Sequence, residues 1–189
     1  MTRLAFERVA CMRGGRLLFE GRSFALGPSE AGLVTGPNGV GKSSLLRMAA
    51  GLLPPAAGRV IREGGLAYAG EAAALDPRRT LADALRFWAK VDGRDKADVE
   101  HGLNAMGIGP LAEVPVRMLS TGQRKRAALA RVIAGGAPIW LLDEPGNGLD
   151  AMALGSLAAA MTAHRAAGGI ILAATHQPLG LGDAREISL

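Results

Sequence analysis

The sequence predicts an α/β fold in which a mainly parallel sheet carries a helical insertion. Short apolar runs at 32–35, 139–142 and 169–174 alternate with stretches of helical periodicity, a pattern typical of βαβ units. From about residue 71 to 135, apolar residues recur at helical spacing instead. We therefore expect a single domain over 1–189, with the helical segment inserted at 71–135.

The composition indicates a globular chain without disulfides. Of its 189 residues, 49% are apolar and 21% are charged, so we expect a substantial core and no extensive disorder. Cys11 is the single cysteine, which excludes an internal disulfide. The charged start does not fit a signal peptide and no uncharged run fits a transmembrane helix, so we expect a cytosolic chain. The net charge of +5 permits anionic partners, but aromatic residues make up only 4%, too few to predict a nucleic-acid surface.

The individual elements follow from local patterns. Alternating or continuous apolar runs predict strands at 3–10, 22–26, 32–35, 58–61, 65–68, 139–142, 169–174 and 185–189. Within the insertion, Thr80 caps a helix that extends to Val91, and Asp95 begins a second helix that ends at Gly107. A third helix follows 119–123, and another covers 152–166.

A phosphate loop is predicted between strand 32–35 and a helix at 45–50. Its motif, G-x-x-x-x-G-K-[ST] with one further serine, consists of Gly36, Pro37, Asn38, Gly39, Val40, Gly41, Lys42, Ser43 and Ser44. The glycines let the backbone approach phosphate oxygens, and the helix directs free N–H groups at the same anion. Lys42 can reach the outer phosphates, and Ser43 is placed to ligate Mg²⁺. The motif predicts a nucleoside triphosphate site.

Two acids end the buried strand 139–142. The carboxylates of Asp143 and Glu144 emerge at its carboxyl end, where ligands of open α/β sheets bind. Asp143 is predicted to hold Mg²⁺, directly or through water, and Glu144 to polarise an attacking water. Because burying two acids without a role carries a large desolvation cost, we assign them to the site.

In combination, the motifs resemble those of the ATP-binding-cassette (ABC) ATPases. Their order is GPNGVGKS, LSTGQ, WLLDEP, Leu149-Asp150 and Thr175-His176, and it covers nearly the whole chain. The resemblance implies a P-loop NTPase core with an N-terminal antiparallel β-subdomain and an inserted helical subdomain that carries LSTGQ, the signature. It also implies a homodimer whose two copies pair head to tail and enclose two ATP molecules with Mg²⁺.

The resemblance also implies roles for single residues. Ser120 and Gly122, which by themselves indicate only a capped helix start, would contact the γ-phosphate held by the opposite chain. Glu144 would be the general base. His176 would be the switch histidine near the γ-phosphate, and Asp150 would belong to a loop that crosses the dimer interface.

Some positions depart from the family pattern. Thr121 replaces a glycine of the usual signature, and Asn147-Gly148 precede Leu149-Asp150 in place of Ser-Ala. Glu71 stands where the family has a glutamine that senses Mg²⁺ and the membrane partner. Arg13 stands near the usual adenine-stacking aromatic residue, and its guanidinium can stack on a base instead.

Further features resemble the ATP-binding subunits of cytochrome c maturation transporters: Trp140, the segments 175–179 and 187–189, Arg13 and the missing glutamine. This resemblance implies integral membrane permease subunits as partners, haem export as the driven process, and a peripheral location at the cytoplasmic face of the bacterial inner membrane. Since no paired haem-ligand motif is present, we expect no direct haem binding. The alternatives are an ABC importer or exporter ATPase for another cargo, and a soluble ABC-type ATPase that acts on ribosomes or DNA.

Overall fold

The computed structural model describes residues 2–189. Its strands are β1 (Arg3–Arg13), β2 (Arg16–Leu26), β3 (Ala31–Thr35), β4 (Ala57–Glu63), β5 (Leu66–Ala69), β6 (Ile139–Asp143), β7 (Ile170–Ala174) and β8 (Arg185–Ser188). Its α-helices are α1 (Lys42–Ala49), α2 (Leu81–Val91), α3 (Lys96–Ala105), α4 (Thr121–Gly135) and α5 (Ala151–Ala166). Within this described range, no helix is long and apolar enough to cross a membrane.

The central sheet is parallel and has the strand order β5-β6-β7-β3-β8. Every residue of β6 and β7 is buried, because helices cover one face of the sheet and α1 with the N-terminal strands covers the other. Along β6, Trp140 and Leu142 pack into the helical side, whereas Ile139 and Leu141 pack against α1 and the N-terminal strands. Covering both faces explains why the strands are continuous apolar runs. The predicted α/β fold is confirmed.

The N-terminal strands form a separate antiparallel sheet with the order β2-β1-β4. A two-residue turn joins β1 to β2, and both of its glycines have positive φ, 55° at Gly14 and 77° at Gly15, as the twist of a tight hairpin requires. The strand predicted at 22–26 begins earlier, at Arg16. The pairing of β1 with β2 has register shifts, and Arg8 in β1 and Gly21 in β2 have positive φ, 48° and 66°. These irregularities interrupt the apolar alternation on which the prediction depended.

The helices of the predicted insertion begin at Leu81, after a segment, 70–80, that contains no helix and only an isolated bridge. The predicted caps are present: the hydroxyl of Thr80 accepts from Asp83 N at 3.2 Å, and Asp95 forms a capping box with Asp98. The last helix of the insertion, α4, is hydrogen-bonded to the sheet through Arg131, whose Nη2 donates to Tyr68 O at 2.7 Å. The helical layer is therefore bonded directly to strand β5.

Candidate nucleotide-binding site

The phosphate loop connects β3 to α1 at the carboxyl edge of the parallel sheet. Its three motif glycines all have positive φ: 135° at Gly36, 81° at Gly39 and 115° at Gly41. Gly41 is the N-cap of α1, and no side chain caps this helix. The first N–H groups of α1 thus have no side-chain partner. Free N–H groups at a helix start that follows a glycine-rich loop are the arrangement that binds phosphate.

Lys42 lies folded over this loop. Its Nζ donates to the carbonyl oxygens of Gly36 at 2.8 Å and Pro37 at 3.2 Å, and the residue is only 7% exposed. A buried ammonium held by main-chain oxygens of the loop places positive charge beside the free N–H groups of α1. The predicted lysine therefore lies against the phosphate loop, at the start of α1.

Ser43 and Asp143 meet although a hundred residues separate them in sequence. The hydroxyl of Ser43 donates to Asp143 Oδ1 at 3.0 Å, and the phenol of Tyr68 donates to Oδ2 at 3.3 Å. A hydroxyl and a carboxylate are hard oxygen ligands of the kind that Mg²⁺ prefers, so this pair fits the ion. Burial and the negative charge of Asp143 raise the pKa of Tyr68, which keeps the phenol a hydrogen donor.

Glu144 occupies a strained backbone position at the end of β6. Its φ is 45°, a region that L-residues rarely adopt, and its N–H donates to Ala174 O at 2.8 Å. His176 Nδ1 lies 3.0 Å from Glu144 Oε2, but this approach lacks hydrogen-bond alignment and leaves the buried Oε2 without a partner. An unpaired buried carboxylate oxygen in a native structure is a sign of a functional group.

Lys125 adds a positive charge that sequence reasoning missed. It projects from α4, and its Nζ donates to the main-chain oxygen of Asp143 at 3.1 Å. Burial lowers the pKa of Lys125, while the carboxylates of Asp143, Glu144 and Glu71 oppose that shift. Glu71 itself is exposed. The signature motif drew attention to the start of α4, and nothing in the sequence indicated that its next turn reaches the acids.

Two adjacent cavities surround these groups. A cavity of about 440 Å³ is lined by loop residues 38, 39 and 41–44 together with Leu18, Glu144, Asn147 and His176. A second cavity, of about 700 Å³, shares Ser43, Glu144 and Asn147 with the first and continues past Lys125 and Glu71 to Thr121. A separate cavity of about 710 Å³, lined by Trp140, His164 and alanines of α5, has no carboxylate or phosphate-loop residue. The acids and the phosphate-loop residues described above therefore line the first two cavities and not the third.

Other predicted site residues are not in the wall of either cavity. The hydroxyl of Ser120 accepts from Gln123 N at 3.2 Å in a capping box at the start of α4. Gly122 packs against the loop before α5, where an added Cβ would lie 2.9 Å from Gly148 O. Asp150 caps α5 by accepting from Ala153 N at 2.8 Å.

Arg13 lies at the exposed tip of the β1–β2 hairpin. It is Leu18, on the following strand, that lines the cavity beside the phosphate loop, and Leu18 was not predicted. The roles of Arg13 toward adenine and of Ser120 and Gly122 toward a second chain remain predictions.

Comparison with known proteins relates this chain to the ABC transporters. The family model described as ABC transporter matches residues 19–147. The cytochrome c biogenesis ATP-binding export protein CcmA of Sphingopyxis alaskensis is 56% identical over 97% of this chain and 95% of its own length. The protein of the same name from Zymomonas mobilis is 51% identical over 100% of this chain and 85% of its own.

Solved structures show the same fold at lower identity. An ATP-binding subunit of an ABC transporter superposes with a TM-score of 0.88 at 23% identity, over 98% of this chain and 85% of that one. A bacterial Atm1-family ABC exporter with ATP bound gives 0.83 at 20% identity, over 100% of this chain and 37% of that one. The chain belongs to the ABC transporter family and, within it, to the cytochrome c biogenesis ATP-binding export proteins.

Proposed function

We propose that this chain hydrolyses ATP as one half of a homodimer and thereby drives a separate membrane permease that exports haem during cytochrome c biogenesis. The observation that carries the hydrolytic part is that Glu144 and His176 line the same cavity as Lys42 and Ser43. The export part is supported by relatives that are 56% and 51% identical and bear the name of cytochrome c biogenesis export proteins.

The residues present fit ATP with Mg²⁺. The N–H groups of the loop and of α1, together with Lys42, would hold the phosphates. Ser43 Oγ and the carboxylate of Asp143, now 3.0 Å apart, would ligate Mg²⁺, which neutralises charge on the phosphate oxygens when bound. Tyr68 supports this pair, because its phenol orients the second oxygen of Asp143.

Glu144 would act as the general base. Its carboxylate lines the cavity beside the phosphate loop, and its Oε2 has no hydrogen-bond partner. It would take a proton from the attacking water while the bond between the β- and γ-phosphates breaks, which yields ADP and phosphate. His176 lines the same cavity and would lie near the γ-phosphate as the switch histidine.

The site would be completed by a second copy of the chain. Ser120 is exposed and Gly122 is half-buried at the start of α4, and neither residue lines the two cavities around the phosphate loop and the acids. A helix start with a capping serine is an anion-binding terminus, and in a head-to-tail pair it would close over the partner's γ-phosphate. Hydrolysis would then wait for dimerisation, because closure supplies the donors and excludes bulk water.

Two variants test this function. Glu144→Gln should retain Mg-ATP binding, lose about 10²- to 10⁴-fold in turnover, and accumulate as an ATP-bound dimer. Lys42→Ala should lose ATP affinity instead, since it removes the charge at the phosphates. Equilibrium nucleotide binding, phosphate release and size-exclusion chromatography with ATP distinguish the two results. Turnover at the parental rate in Glu144→Gln would show that another group is the base.

The partner is tested by purifying the tagged chain from native membranes. Co-purification of a multispanning protein supports the permease, at the cytoplasmic face of the inner membrane. Ribosomes or DNA in its place would favour the soluble ABC class, and we expect no nucleic acid. Direct haem binding is not expected either, so a haem titration of the isolated chain should give no stoichiometric change in the Soret band.

A further inference from the structure

The peptide group between Asp143 and Glu144 is held from both sides. Its carbonyl oxygen, that of Asp143, accepts from Lys125 Nζ at 3.1 Å, and its N–H, that of Glu144, donates to Ala174 O at 2.8 Å. This peptide leads directly into the positive φ of 45° at Glu144. A non-glycine residue keeps such a conformation only when surrounding contacts fix it, and these two hydrogen bonds are such contacts.

Lys125 reaches this peptide from inside the site. Its side chain lines the cavity of about 700 Å³ that also contains Asp143 and Glu144. The charge is half-buried and lies in the field of the carboxylates of Asp143, Glu144 and Glu71. Burying an ammonium costs free energy unless it is hydrogen-bonded and balanced by opposite charge, and here both conditions are met.

We propose that Lys125 is a positioning residue, which holds the Asp143–Glu144 peptide so that the Glu144 carboxylate stays aimed at the phosphate loop. This inference rests on the proposed role of Glu144 in ATP hydrolysis. Lys125 belongs to the same helix as Ser120, which begins that helix as its cap. A displacement of α4 on contact with a partner is thereby passed to the base of the chain's own site.

Two other roles for Lys125 give different results. A lysine that only stabilises the fold would change the unfolding midpoint and leave turnover per folded molecule intact. A lysine that only supplies charge for nucleotide binding would change KM more than kcat. A positioning residue affects kcat, because a small misplacement of a reacting group costs rate while the substrate still binds.

The experiment compares Lys125→Met with Lys125→Arg. Methionine keeps the approximate length of the lysine side chain but removes its charge and its hydrogen-bond donor, whereas arginine keeps both. The control is Lys96→Met, because the Lys96 side chain on α3 is 71% exposed. We expect Lys125→Met to lower kcat about 10- to 100-fold with KM near the parental value, Lys125→Arg to regain most of kcat, and Lys96→Met to match the parent. Lys125→Gln serves in the same comparison if the methionine variant does not fold. An unchanged kcat in a folded Lys125→Met or Lys125→Gln protein overturns the proposal.

A double variant tests whether Lys125 acts through Glu144. If it does, adding Lys125→Met to Glu144→Gln should not reduce the residual turnover further. A full multiplicative loss overturns the positioning role. Glu144→Gln by itself separates the two proposals: if it retains parental turnover, the proposed role of Glu144 as base fails, and the inference about Lys125 fails with it. If it is inactive while Lys125→Met is fully active, only the inference about Lys125 fails.

Discussion

Four non-glycine residues within 2–189 have positive φ, namely Arg8, Ser29, Ala74 and Glu144, and the first and last of these differ in what requires it. Arg8, at φ 48°, lies where the register of β1 against both neighbouring strands shifts, so its conformation serves the bulge. Glu144, at φ 45°, lies at the end of β6, where no bulge requires it. Strain that the fold itself does not require accumulates at functional positions, which supports the assignment of Glu144.

The bulge at Arg8 depends on a glycine of the facing strand. Gly58 has φ 76°, and an added Cβ would lie 2.3 Å from the main-chain oxygens of both Glu7 and Arg8. Gly14, in the hairpin turn, also has positive φ, 55°, but an added Cβ would meet nothing within 4 Å. Substitutions at the two glycines therefore distinguish the cost of backbone strain from the cost of steric overlap.

We expect Gly58→Ala to destabilise the chain by about 3 kcal/mol or more, because overlap adds to strain, and Gly14→Ala by about 1–2 kcal/mol from strain alone. Chemical denaturation of the two variants beside the parent measures the difference. Equal midpoints for the two variants would mean that the strands separate at Gly58 without cost, and that the close approach is not needed.

At the scale of elements, the sequence predicted features that depend on neighbouring residues, and it did not predict contacts between segments that are distant in sequence. Local sequence patterns predict the phosphate loop, the two acids at the end of β6, and the helix caps at Thr80 and Asp95. Each of these features depends on residues within one turn or one strand end. Tyr68 reaches Asp143 only because β5 lies beside β6, and strand order is not written in local patterns. For the same reason Lys125 was missed, since its contact depends on how α4 packs on the sheet.

The C-terminal segment is joined to α5 by one forked ion pair. Arg165 Nη1 and Nη2 donate to the two carboxylate oxygens of Asp183 at 2.7 and 2.8 Å, and Nε donates to Ser29 O at 2.9 Å. These hydrogen bonds from Arg165 lower the pKa of Asp183 from its ordinary value of 3.8 to about 2. One guanidinium therefore connects α5, the loop before β3 and the segment before β8.

The pH dependence of this connection has a defined sign. A carboxylate whose pKa is lower in the folded state stabilises the fold above its unfolded pKa and loses that contribution as pH falls through the folded value. Asp183→Asn should therefore lower the unfolding midpoint near neutral pH, and the difference from the parent should vanish between about pH 3.8 and 2. Because Asp183 is 75% exposed, added salt should shrink the difference too. A gap that persists unchanged at pH 2 would show that the carboxylate charge is not the cause.

At the scale of the whole molecule, α4 connects two sites. Its capped start leaves Ser120 exposed, and Lys125 in the following turn donates to Asp143 O in the chain's own candidate site. Further along, Arg131 bonds to Tyr68 O, and Tyr68 in turn bonds to the carboxylate of Asp143. A helix that is hydrogen-bonded both to Asp143 and to the neighbouring strand β5 can transmit a contact at its start to the proposed metal and base residues.

The arrangement predicts that two defective chains restore each other. Lys42→Ala cannot hold ATP but keeps an intact signature. Ser120→Asp keeps its own phosphate loop and, because aspartate caps helices as well as serine does, keeps α4, while its charge repels the partner's γ-phosphate. Each variant alone should be inactive. In a mixed dimer the phosphate loop of the Ser120→Asp chain faces the intact signature of the Lys42→Ala chain, which makes one complete site.

Steady-state phosphate release from mixtures at constant total protein checks this expectation. Activity should rise from near zero to a maximum near equal proportions and fall on either side, because only mixed dimers contain a complete site. Ser120→Asn is the matched control, since it caps α4 without adding charge and should be less impaired than Ser120→Asp. If Ser120→Asp by itself turned over at the parental rate, Ser120 would not contact the partner's γ-phosphate. The exposed position of Ser120 would then need a different explanation, whereas restored activity in the mixture can come only from a site shared between two copies.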